Sequence, residues 1–136
     1  MLNPEVQNAY ISILKEELVP ATGCTEPIAL AYAAARMRAI LGAAPERIVE
    51  EVSGNIIKNV KSVVVPNTGG RKGIQAAIAA GVVSGKAEKI LQVISGVPAS
   101  DHPAIAAYAQ NTPIEVICAQ TTRLLELYAE VGTGLL

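Results

Sequence analysis

From Glu26 to Leu41 almost every position after the opening glutamate is apolar, with only Arg36 and Arg38 interrupting, and alanine is the commonest residue of the stretch. A helix of that composition has no continuous polar face for water, and its short side chains let a neighbouring backbone approach closely. It is therefore expected to be buried along most of its length. A second alanine-rich helix is predicted from about residue 73 to 83, closed by Gly85. Two such helices constrain the fold to a layered core. At 136 residues and 51% hydrophobic content, the chain has the size of one domain and enough apolar surface to build it.

The remaining pattern supplies a small sheet. Residues 4–18 carry Val6, Ala9, Tyr10, Ile13, Leu14 and Leu18 at the spacing of one helical face, which predicts a surface helix stopped near Pro20. Gly42 and Pro45 end the buried helix, and residues 47–52 then read as a strand. The run Val63-Val64-Val65 predicts a second strand over 60–65, halted by Pro66. Further helices are expected over 87–95 and 102–110, with Asp101 as an N-cap, and a strand over 113–119. Residues 124–131 fit either a strand or a short helix. No long linker or internal repeat divides the chain, so it reads as one α+β domain with alanine-rich helices packed against a small sheet. Its end on Gly134-Leu135-Leu136, without a polar tail, suggests a cut chain.

Composition narrows the function classes. A net charge of −1, no Trp or Phe and four Tyr leave neither a basic footprint nor a stacking platform for nucleic acid. The most apolar runs, 28–35 and 74–83, fall short of the ~20 residues that span a bilayer. Met1-Leu2-Asn3-Pro4-Glu5 lacks a signal-peptide pattern, so a cytoplasmic protein is expected. Neither nucleic acid nor membrane is an expected partner, and a homo-oligomer is compatible with this reading. Cys24 and Cys118 have no metal-type spacing.

The most informative chemical feature is Ala21-Thr22-Gly23-Cys24-Thr25-Glu26-Pro27, which sets a cysteine where a helix begins. Pro27 is tolerated in a first turn, and Thr25 can cap the free amides. Those amides and the peptide dipoles favour a thiolate, making Cys24 a candidate nucleophile, base or ligand with a lowered pKa. The alternative is a small buried hydrophobe. The polar turn Asn67-Thr68-Gly69-Gly70-Arg71-Lys72 lies after a predicted strand and before a helix. Its glycine amides, with Arg71 and Lys72, suit a carboxylate or phosphate, or else the glycines only supply unusual backbone angles. It matches neither GxxxxGK[ST] nor GxGxxG. In Ser53-Gly54-Asn55-Ile56-Ile57-Lys58-Asn59, the two asparagines share a face whether the stretch is helical or extended; Lys58 lies opposite them only if it is extended. They could serve a polar ligand, or they could cap a hairpin with Lys58 in solvent. His102 is expected near a helix cap at the surface, and Cys118 in the core of its strand.

Two blocks are more specific than these motifs: TGCTEPIALAYAAA over 22–35 and SGNIIKNVKSVVVPNTGGRKGI over 53–74. They resemble the L-cysteine desulfidase family, related to the alpha chain of iron-sulfur L-serine dehydratases. The resemblance implies a cytosolic lyase that eliminates sulfide from L-cysteine, or water from L-serine, leaving pyruvate and ammonia. It implies an oxygen-sensitive 4Fe-4S cluster whose ligands lie in a C-terminal half beyond Leu136, so that none is bound by this chain, which would be an inactive N-terminal portion. Cys24 would be the catalytic base or nucleophile. Thr25, Glu26, Asn55, Lys58, Asn59, Asn67, Thr68, Gly69, Gly70, Arg71 and Lys72 would form the substrate site. The other reading is a non-catalytic anion or amino-acid binding domain.

Overall fold

The computed structural model describes residues 1–21, 23–120 and 127–132, the last six by their backbone. Its elements run α1 (Pro4–Glu17), α2 (Thr25–Leu41), β1 (Arg47–Val52), α3 (Gly54–Val60), α4 (Ile74–Ser84), a 3-10 segment (Ala87–Gln92), α5 (His102–Asn111), β2 (Ile114–Cys118) and β3 (Leu127–Gly132). This is the expected α+β arrangement. Thr22 and residues 124–126 and 133–136, on which parts of the sequence reading fall, lie outside the described residues.

The alanine-rich helices form the centre. Helix α4 buries every residue from Ile74 to Val82 except Gln75, and α2 buries Pro27, Ile28, Leu30, Ala31, Ala34 and Ala35. They cross so tightly that a Cβ on Gly81 would stand 2.9 Å from the Ala31 Cα. Only glycine fits that crossing. Beyond Ala35, α2 emerges into solvent, and Gly42 at φ 76° terminates it in the left-handed conformation. Arg38 Nη1 donates to the Val83 carbonyl at 3.2 Å, satisfying an end of α4.

The sheet has the order β2-β1-β3, with β1 parallel to β2 and antiparallel to β3. Strand β1 turns Ile48, Glu50 and Val52 into the core and places Glu50 opposite Val116 of β2. The crossover from β1 to β2 passes through α3, α4 and α5, and Ile105 anchors α5 in the same core. The Tyr108 hydroxyl donates to the Pro45 carbonyl at 2.6 Å, fixing α5 to the segment before β1.

Three sequence expectations are corrected. Residues 54–60 form a helix, so the predicted strand over 60–65 reduces to a single bridge between Val64 and Lys72. The Ser53 hydroxyl accepts from the Ile56 amide at 3.4 Å and caps the turn, while Ile56 and Val60, four apart, bury together. The helix expected over 87–95 is a 3-10 segment broken at Ile90, whose φ is 49°. Asp101 holds the expected N-cap position of α5, but its carboxylate accepts from the Ser84 hydroxyl at 2.7 Å rather than from a first-turn amide. Cys118 is exposed, because β2 lies at an edge of the described sheet and its last two residues are both uncovered. Among the described residues, no helix is long and apolar enough to cross a membrane.

Candidate functional site

Cys24 is the N-cap of α2, with extended backbone and no side-chain cap bond, and Thr25 is the first helical residue rather than the cap. The thiol is exposed, not a buried hydrophobe. Its Sγ donates to Glu26 Oε2 at 2.7 Å. The other carboxylate oxygen, Oε1, accepts from Asn59 Nδ2 of α3 at 3.3 Å. A thiol, a carboxylate and an amide from two helices therefore form one hydrogen-bonded chain.

That chain reverses the expected electrostatics. The bond to Glu26, then partial burial, raises the Cys24 pKa above its ordinary value, whereas the nearby amides only oppose this. A carboxylate accepting the thiol proton outweighs the helix start, because ionising the thiol would break the bond and set two anions together. Glu26 moves the other way: the Cys24 bond, its own backbone amide and Asn59 hold its carboxyl below the usual range. The resting pair is a thiol donor and a carboxylate acceptor.

Beside this pair lies a cavity of about 550 Å³ lined by Thr25, Glu26, Ala29, Asn55, Ile56, Asn59 and Leu91. Helical spacing puts Asn55 and Asn59 on one face of α3, which settles the alternatives left by the sequence. Lys58 is exposed on the same helix and does not line the cavity. Leu91 closes one wall from the 3-10 segment, a contribution that no local pattern announced.

The glycine turn adjoins the cysteine loop. Gly23 has φ 78°, and a Cβ there would stand 2.9 Å from Pro66 Cγ, so the cysteine loop packs directly on the start of the turn. Asn67, at φ 57°, donates its amide to the carbonyls of Ile94 at 3.0 Å and Ser95 at 3.3 Å. The buried Thr68 hydroxyl donates to the Val65 carbonyl at 2.8 Å. These two side chains tie the turn to its surroundings. Gly69 at φ 73° lies beneath His102, where a Cβ would meet Nδ1 at 3.0 Å. Nothing lies within 4 Å of a Cβ built on Gly70, and Arg71 and Lys72 are exposed. The fold thus brings the two sequence blocks together and adds His102 to the turn rather than to Cys24.

Among the described residues, no three His, Cys, Asp or Glu side chains gather as a metal site. They do not form the donor set that an iron-sulfur cluster needs.

Among known proteins, the chain is similar to the UPF0597 protein of Desulfitobacterium hafniense (strain Y51), at 56% identity over 118 residues, which are 87% of this chain and 27% of that relative. The UPF0597 protein of Treponema denticola is 55% identical over 96 residues, 71% of this chain and 22% of the relative. That of Oleidesulfovibrio alaskensis is 43% identical over 131 residues, 96% of this chain and 30% of the relative. The chain spans less than a third of each of these relatives. No protein-family model and no solved structure matches it. These findings correct the resemblance drawn from the two blocks: the relatives bear the name UPF0597, which carries no reaction or cofactor, and nothing links them to L-cysteine desulfidases or L-serine dehydratases.

Proposed function

We propose that this chain forms the amino-acid site of a larger lyase that performs α,β-elimination on L-cysteine or L-serine. The observation that carries the reading is the 2.7 Å bond between Cys24 Sγ and Glu26 Oε2 at the edge of an amide-lined cavity. Elimination requires removal of the Cα proton, and a thiol–carboxylate pair can accept it without creating two adjacent anions. The Cα proton passes to the Cys24 sulfur as the thiol proton passes to Glu26, which becomes the net acceptor. The electron pair of the Cα–H bond forms the Cα–Cβ double bond as the bond to sulfur breaks and hydrosulfide leaves. With L-serine, Glu26 returns its proton to the departing hydroxyl as water. The resulting enamine tautomerises and hydrolyses to pyruvate and ammonia. Asn55 and Asn59 offer amide groups to the polar substrate, and Asn59 also holds Glu26 in place. Two free thiols suit a reducing cytoplasm.

A second reading, an amino-acid or anion binding domain without chemistry, is favoured by the open space over Gly70 beside the exposed Arg71 and Lys72. Backbone amide spectra of the chain titrated with L-cysteine and L-serine separate the two. The lyase reading expects shifts at Glu26, Asn55 and Asn59 that Asn55→Ala weakens. Binding lost in Arg71→Ala but kept in Asn55→Ala would favour the second reading, and unchanged spectra at millimolar ligand would remove both.

A further inference from the structure

Helix α1 contributes no residue to the core. Val6, Tyr10, Ile13 and Leu14 are 40%, 54%, 53% and 52% exposed, yet their spacing of three and four gathers them into one stripe, and Glu17 continues it at the C-terminal end. An isolated helix of 14 residues is marginal in water, and helices of this kind draw their stability from packing an apolar face. Such a stripe calls for a cover. A second copy is a poor one: the stripe carries no basic residue, so antiparallel pairing would set Glu17 over the Val6 end without a counter-charge, and parallel pairing would set Glu17 against Glu17. The relatives indicate another occupant. The match to the Oleidesulfovibrio alaskensis protein takes in 131 of the 136 residues, hence most of α1, and is only 30% of that protein.

We propose that the α1 stripe docks into an apolar groove, closed by a basic residue opposite Glu17, that is formed by polypeptide lying outside the matched segment in these longer relatives. In sequence only residues 18–22 separate α1 from the Gly23-Cys24 loop, so this docking would also hold the loop that carries the thiol.

Amide hydrogen exchange tests this by comparing the 136-residue chain with the intact Oleidesulfovibrio alaskensis relative. The helix matching α1 is expected to exchange at least about 100-fold more slowly in the intact relative than α1 does in the chain. Replacing the residue aligned with Ile13 by Asp in the relative should abolish that protection and spare the helices matching α2 and α4. Equal exchange in the two wild-type proteins overturns the proposal whether or not the variant folds. So does a concentration-dependent dimer of the chain in sedimentation that protects α1, since the occupant would then be a second copy.

Discussion

Two carboxyls behave in opposite ways because their surroundings differ. Glu26 is hydrogen-bonded on both oxygens and held ionised, and it keeps Cys24 protonated. Glu26→Gln removes the acceptor charge and should lower the Cys24 pKa, raising its alkylation rate at pH 8 by about 3- to 10-fold, with Cys118 in the same protein as the reference. Peptide mapping reads this directly; an unchanged rate would mean that the bond does not govern the thiol. Glu50 has no such support. Fully buried on β1 with both oxygens unpartnered, its carboxyl is pushed up to about 8 by burial. The folded state therefore binds a proton that the unfolded state releases above its ordinary pKa. Stability is fully present below about pH 4.5, falls as pH rises, and levels off above about pH 8, with a loss on the order of 3 kcal/mol by pH 7. Urea unfolding of the protein and of Glu50→Gln at pH 5, 7 and 8.5 should show that the isosteric amide removes most of this slope.

At the scale of elements, the α2–α4 crossing and the cap of α3 position the site. Gly81→Ala drives a methyl into the backbone of Ala31, and a crossing built on buried alanines leaves little room to relax. A loss of about 1–3 kcal/mol or more is expected, seen as a lower midpoint in thermal unfolding. Ser53→Ala removes the hydroxyl that caps α3 and should cost about 1 kcal/mol. Because α3 carries Asn55 and Asn59, the same change should loosen the bond to Glu26; Asn59 side-chain amide resonances would broaden or shift. An unaltered Asn59 signal would show that α3 is held by Ile56 and Val60 packing alone.

For the whole molecule, fold and activity are expected to separate. The core of α2, α4, α5 and β1 is continuous within the chain, so cooperative urea unfolding is expected. The Cys24 pair, by contrast, stands at an exposed cavity edge where water competes for every polar group. On the proposed elimination, the 136-residue chain should therefore release neither sulfide nor pyruvate from L-cysteine under anaerobic reducing conditions, and a longer relative should release both. Turnover by the chain alone would show that the pair needs no further cover.

Much of this organisation was legible in the residues. Alanine-rich apolar runs identified α2 and α4; α4 is buried almost throughout, whereas α2 is buried only as far as Ala35 and not along most of its length, and Gly42 marked where it stops. The stripe of α1 and the strand over 47–52 followed from periodicity. Local preference failed at 60–65, where three valines suggested a strand but the Ser53 cap and the Ile56–Val60 pair had already committed the preceding turn to a helix. The site was legible only in part. Cys24, Asn55 and Asn59 were visible as residue types, but the Glu26 carboxylate decides the charge on the thiol through a 2.7 Å contact that the helix-start argument omits. The wall made by Leu91, the seat of His102 on Gly69 and the burial of Glu50 depend on elements far apart in sequence. Periodicity is set by neighbours along the chain and fixes which face an element buries. Which side chains then meet across faces is set by how those elements pack, and that the tertiary structure alone decides.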